Sequence, residues 1–179
     1  MNTELITSSL KLRLLKRSDV AAIQREVSDP RVARYTTIPH PYPENGAEEF
    51  LTLVEKQHAE QTTFTFAIEL RGESQLIGVI GIGNDKVHRQ AEAGYWISPN
   101  YWGRGYATEA LQAIINFGFE ELNLNRISTG VFAGNDASVR VQEKCGLVLE
   151  GTLRESYIKD VSPIDVTMRS ILRREWVAR

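Results

Sequence analysis

Along residues 9–15, SLKLRLL, Leu10, Leu12 and Leu14 alternate with polar neighbours, the period of a half-buried strand. Ser18 or Asp19 then stands where a helix running to about Val27 needs its cap, and Asp29-Pro30 starts a second short turn. PHPYPEN (39–45) reads as a proline-rich loop, after which Asn45 can cap a helix carrying Phe50, Leu51 and Val54. TFTFAIEL (63–70) and QLIGVIGIG (75–83) flank Arg71-Gly72-Glu73-Ser74, the pattern of an antiparallel hairpin. AEAGYWIS (91–98) predicts the next strand.

Past that strand the period changes. Ala107, Ala110, Leu111, Ile114, Ile115, Gly118 and Leu122 recur at helical spacing, which places one buried stripe on a long helix. RISTGVF (126–132) predicts a strand, and Asn135 or Asp136 caps a helix ending at Gly146, a residue suited to the left-handed position after a helix. LVLEG and two closing strands, about 153–159 and 164–172, finish the chain. The order is strand, helices, strand meander, helix, strand, helix, strands. That predicts a mixed α/β sheet with helices on its faces, in one domain over residues 1–179, and not the strict βαβ alternation of a dinucleotide fold.

Between the strand and the long helix lies PNYWGRGYATEAL, in which Gly103 and Gly105 bracket Arg104. Lacking a Cβ, these glycines let the chain bend sharply and let a ligand approach the amides. The helix that follows has four N–H groups without internal partners and a partly positive end, an anion site suited to phosphate. A P-loop needs Gly-Lys-Ser/Thr, but Tyr106 follows Gly105; a Rossmann fingerprint needs a small sixth residue, but that is Thr108. Spacing alone leaves two readings: a phosphate cradle, or a tight turn that binds nothing.

Composition narrows the partners. The net charge is −2, which argues against a nucleic-acid surface although RSILRREWVAR is locally basic. Cys145 is the one cysteine, so no intramolecular disulfide forms and a reducing compartment is the simplest expectation. No secretory signal pattern opens the chain, and no apolar run approaches the ~18–20 residues of a membrane helix. A soluble cytoplasmic protein is expected. His40, His58 and His88 are scattered without ligand spacing, so no metal is expected.

PNYWGRGYATEAL resembles motif A of the GNAT superfamily of acetyl-CoA-dependent N-acetyltransferases, Gln/Arg-x-x-Gly-x-Gly/Ala, with Gly103 and Gly105 at the two small positions and Asn100 in place of the usual Gln or Arg. SSLKLRLLKRSDV, SDPRVARY, LIGVIGI, AEAGYWISP, GNDASVRVQEKCGL and LEGTLRE extend the likeness over nearly the whole chain in the family's order. It is strongest to the Rim-type ribosomal-protein N-terminal acetyltransferases. The resemblance implies a mostly antiparallel mixed sheet flanked by helices.

It also implies roles. The amides of Arg104, Gly105, Tyr106, Ala107 and Thr108 would hold the pyrophosphate of coenzyme A, with Gly103 permitting the bend. Backbone groups of Trp96, Ile97 and Ser98 would pair with the pantetheine arm, and Asn135 would bond its amides while also capping its helix. Where the family often has a thiolate-protonating tyrosine this chain has Gln142, so Ser138, one turn earlier, is expected to face the departing sulfur. Glu92 matches a strand glutamate that serves as general base in histone acetyltransferases of the superfamily; a water relay is the other candidate base, and an ion pair with Arg89 or a nearby basic residue is the structural alternative for Glu92. Cys145 reads as core.

The implied acceptor is a primary amine, a ribosomal-protein N-terminus being the first choice. A small-molecule amine such as a polyamine or aminoglycoside, or a non-catalytic acyl-CoA-binding module, is the alternative, and the chain is expected as a monomer or homodimer. Tyr35, Tyr42 and the PHPYP loop, with Glu150, Arg154, Glu155 and Tyr157, are candidates for the acceptor walls.

Overall fold

The computed structural model describes residues 3–177. Its strands are β1 (Glu4–Ile6), β2 (Leu10–Leu14), β3 (Thr63–Leu70), β4 (Leu76–Gly83), β5 (Gln90–Ile97), β6 (Arg126–Phe132), β7 (Val148–Lys159) and β8 (Ser162–Leu172). Its helices are α1 (Val20–Val27), α2 (Pro30–Ala33), α3 (Gly46–Glu60), α4 (Tyr106–Glu120) and α5 (Asp136–Lys144). The strands form one sheet in the order β1-β2-β3-β4-β5-β6-β8-β7. Every pairing is antiparallel except β5 with β6.

Alternation along the central strands sorts side chains to two cores. Phe66, Ile68, Ile80 and Ile82 point to one face, where Leu111, Ile114 and Ile115 of α4 cover them. Ala67 and Val79 point to the other, under Ile23 and Val27 of α1 and Leu51 and Val54 of α3. Phe117 locks α4 down by meeting Phe64 and Phe66 edge-on, with ring centres 5.7 and 5.3 Å apart. The mixed, mostly antiparallel sheet with helices on both faces is the expected fold.

Two details differ from the sequence reading. LVLEG and the 153–159 strand are one 12-residue strand, β7, broken by register shifts at Leu149/Gly151 and Leu153/Tyr157. The bulged residues lack a pairing partner, so the periodicity that marks a strand is lost there. α4 stops at Glu120, and Leu122 packs from the loop beyond it.

One polar cluster ties β2, β3 and the start of α1 together. Arg13 donates to both oxygens of Asp19 at 2.8 Å and to Glu69 at 2.6 and 3.0 Å, with 15% of its side chain exposed. Burial pushes the Asp19 carboxyl up, but hydrogen bonds from Arg13 and the Lys16 amide outweigh it and hold the group below its usual range. A depressed folded pKa stabilises above the unfolded pKa, and that stabilisation disappears as pH falls through the folded value. Arg13→Met strands two nearly buried carboxylates and is expected to cost about 3–5 kcal/mol at neutral pH. Urea denaturation measures the deficit, which should narrow in acid as Asp19 takes up its proton; a cost that stays constant with pH contradicts the assignment.

Candidate active site

β5 and β6 run side by side only briefly. Gln90, Ala91 and Glu92 pair with Arg126, Ile127 and Ser128, and then the strands part, β5 continuing to Ile97 and β6 to Phe132. The sheet is therefore split along half the length of its central pair. The strands' inner edges carry backbone groups that the ladder does not use, and an extended ligand can pair with them.

Which groups face the split follows from the β4 side. Ser98 donates its N–H to Ile77 at 2.7 Å, and in an antiparallel ladder such pairs recur every second residue. Trp96, opposite Val79, is thereby turned to β4 as well. This redistributes the expected pantetheine contacts. Ser98 is buried, and its hydroxyl donates to Glu26 of α1 at 2.7 Å, so neither of its donors faces the split. The groups that do face it are those of Tyr95 and Ile97. The Ile97 carbonyl accepts the Trp102 indole N–H at 2.6 Å, which leaves the Ile97 N–H for a guest.

At the open end of the split the chain turns through Pro99–Tyr101 into α4. Gly103 and Gly105 have φ of 75° and 86°, the left-handed region, and a Cβ built on either would meet no atom within 4 Å. The glycines are required by backbone shape, and what they expose is bare main chain. Gly105 caps α4, whose first N–H groups have no partner inside the helix, so the amides from Arg104 to Thr108 form the positive end of a 15-residue helix. Arg104 lies over the Tyr101 ring at 5.5 Å, and Asn100 is exposed on the same turn. The Cys145 thiol donates to the Thr108 carbonyl at 3.4 Å and ties the turn to α5.

α5 closes the other side. Asn135 caps it through a bond from the Ser138 amide to its side-chain oxygen at 3.2 Å, leaving the Asn135 NH₂ group uncommitted by the cap. At the far end Gly146, at φ 85°, turns the chain back so that the Leu147 and Gly146 amides bond to Gln142 and Glu143. The Ser138 hydroxyl lies 2.8 Å from the Tyr95 hydroxyl across the split. Gln142 is fully buried and donates to Thr129 of β6, so it anchors α5 to the sheet.

Glu92 sits where the split begins, on the opposite face of β5 from Tyr95. It is exposed, and among the described residues its carboxylate makes no ion pair and no hydrogen bond; Arg89 instead donates to Asn123. One carboxylate oxygen lies 3.8 Å from where a Cβ on Gly130 would stand, a point also bordered by Val166 and Met168. Glu150 differs. Arg126 at 2.5 Å and the Ser170 hydroxyl at 2.8 Å pull its carboxyl down to about 2, so it is a fixed anion with no capacity as a base near neutrality. Tyr35 is near Gly134, and Tyr157 meets Phe132 with ring centres 5.0 Å apart at the end of β6, whereas Tyr42 packs under the start of α3. Phe132 was not singled out in the sequence, since it shares a strand face with Arg126, Ser128 and Gly130 rather than with the buried Ile127 and Val131.

Residues 9–148 match the family described as the acetyltransferase (GNAT) domain. The chain belongs to the GNAT acetyltransferase family. It is an acetyl-CoA-dependent N-acetyltransferase. It is 32% identical over 173 residues to the uncharacterized N-acetyltransferase p20 of Bacillus licheniformis, covering 96% of this chain and 97% of that one. It is 38% identical over 105 residues, 58% of this chain and 57% of the relative, to YdaF of Bacillus subtilis, a putative ribosomal N-acetyltransferase by name. The structure of a spermidine N-acetyltransferase from Vibrio cholerae, in complex with coenzyme A and spermine, superposes with a TM-score of 0.83 at 28% identity over 94% of this chain and 98% of that one. No helix among the described residues is long and apolar enough to cross a membrane.

The residues present fit the co-substrate of a GNAT enzyme. A phosphate group needs unpaired N–H donors and room to reach them, and the Gly103–Thr108 turn has both. An extended arm needs a strand edge, and the split supplies it. Gly105→Val puts a branched side chain at φ 86° and fills the space before those amides. The acetyl-CoA KM is expected to rise about 100-fold or more, checked by steady-state kinetics, with thermal melting used to establish that the strained variant is still folded at the assay temperature. Normal cofactor affinity in a folded Gly105→Val protein contradicts the cradle.

Proposed function

We propose that this enzyme transfers the acetyl group to the α-amine at the N-terminus of a protein, with Glu92 as the base and Ser138 facing the departing sulfur. The observation that carries the proposal is the setting of Glu92: one unpaired carboxylate at the root of the split, bordered by Val166 and Met168. A single carboxylate suits a single ammonium, whereas a polycation calls for several. An α-amine, with a pKa of ~7.7–8.0, also carries a sizeable neutral fraction near pH 7, so the base has only to collect the proton released on attack. A lysine amine near ~10.4 asks far more of it.

Bound acetyl-CoA supplies an activated thioester. Held by the amides from Arg104 to Thr108 and the free edge of β5, its carbonyl carbon sits between the two faces of the sheet. The neutral amine nitrogen forms the new C–N bond from the Glu92 side. Glu92 takes the amine's proton, directly or through one water, and a β5 N–H supports the negative oxygen as an oxyanion-hole donor does. The C–S bond breaks with its electron pair going to sulfur, which Ser138 meets with its hydroxyl. The YdaF likeness supports the protein acceptor, and the likeness to the spermidine enzyme supports a polyamine as the second reading.

A panel of short peptides with free α-amines, the same peptides N-blocked but carrying lysine, and spermidine separates the readings. The α-amine peptides should lead in kcat/KM by about two orders of magnitude; preference for spermidine overturns the acceptor assignment. Glu92→Gln should lower kcat on the α-amine peptides by about 10²–10⁴-fold. A kcat left unchanged by Glu92→Gln assigns the proton to water instead.

A further inference from the structure

We infer that Tyr95 is a positioning residue for thiol departure: its phenolic O–H donates to the Ser138 oxygen, which leaves the one hydrogen of Ser138 to point at the sulfur. The inference rests on the proposed role of Ser138 and adds a residue to it.

The two hydroxyls are 2.8 Å apart, and either could in principle give its hydrogen to the other. A hydroxyl has one hydrogen and two lone pairs, so the direction of this bond decides what Ser138 can do. With Ser138 as donor its hydrogen is spent on Tyr95, and only lone pairs remain to face a thiolate, which would repel them. With Tyr95 as donor, Ser138 accepts from behind and donates forward. The phenol is the stronger acid of the two and hence the better donor. Among the described residues Ser138 is also the phenol's one hydrogen-bond partner, so a reversed bond would leave a hydrogen unpaired beside the core cluster that its ring packs against.

Ser138 is held by other contacts as well. Its amide is capped by Asn135, which fixes its backbone in the first turn of α5. A serine there often bonds back to the main chain of the preceding turn, yet the Ser138 hydroxyl is drawn to Tyr95 instead. Burial pushes the Tyr95 hydroxyl up to about 12, against the opposing pull of the Ser138 bond, so its hydrogen is present at any pH at which the enzyme works. Tyr95 and Glu92, three residues apart on β5, project to opposite faces of the sheet. One strand thus supplies the groups for both ends of the reaction, with the proton collected on one face and the sulfur received on the other.

The test reads the thiol of bound coenzyme A itself and needs no acceptor. The pKa of that thiol is followed by thiolate ultraviolet absorbance in the binary complex, for wild type, Tyr95→Phe, Ser138→Ala and the double variant. Hydrogen bonding to a charged form favours it, so wild type should lower the thiol pKa from its free value. Ser138→Ala should reverse this, weakening the thiol's acidity by about tenfold, and Tyr95→Phe, which keeps the ring and loses only the oxygen, should do so by about three- to tenfold. The double variant should match Ser138→Ala. If Ser138→Ala leaves the thiol pKa at the wild-type value, the role proposed for Ser138 fails. If Ser138→Ala raises it while Tyr95→Phe does not, or if the two effects multiply in the double variant, Ser138 stands and the inference about Tyr95 is overturned.

Discussion

Parallel strands hold together only while their backbone groups face each other, and here β5 and β6 do so for three residues before they separate. The rest of the site depends on that separation. Had the pairing continued, the groups of Tyr95 and Ile97 would be satisfied by β6 and no guest could lie between the strands. The sheet accepts an interrupted ladder because each strand is held on its outer side: β5 by β4 over five residue pairs, and β6 by β8 over seven. A helix lies beside the split at each of its two levels, α4 with its amide end at the mouth and α5 with Ser138 across from Tyr95.

Holding a split sheet in register takes polar ties where apolar packing is thin. Arg13 joins the start of α1 to β2 and β3, and Glu26 near the end of the same helix takes the Ser98 hydroxyl just past the end of β5. α1 therefore braces the strand whose inner edge is exposed. On the other side, Gln142 reaches Thr129, and Cys145 reaches the Thr108 carbonyl. These bonds fix α5 against both β6 and the glycine turn. None of the four touches the reacting atoms, yet each sets the position of a group that does.

The periodic elements were legible from the sequence: the alternation of β2 to β5, the stripe of α4 and the Gly146 helix stop all appear where pattern placed them. So was the glycine turn, because positive φ at Gly103 and Gly105 is a local demand that spelling reveals. Three features were not legible. β1 is three residues long and too short to show a period. The bulges of β7 interrupt alternation, so one strand read as two. The direction of each backbone group along β5 depends on its register with β4, a tertiary fact, so Ser98 and Trp96 were expected at an edge that Tyr95 and Ile97 occupy. Motif spelling marked Ser138 but not its partner: Tyr95 and Ser138 are 43 residues apart, and no spacing rule links them.

The central claim is that coenzyme A lies along the β5 edge with its pyrophosphate on the α4 amides. Backbone amide NMR on the isotope-labelled protein, titrated with coenzyme A, tests it residue by residue. The largest shifts and the strongest protection from solvent exchange should fall on Tyr95, Ile97 and the amides from Arg104 to Thr108, with Asn135 and Ser138 following and α3 unaffected. Saturable binding that leaves those amides unchanged while moving another surface, such as the polar cleft around Lys11, Lys16 and Glu69, would contradict the account.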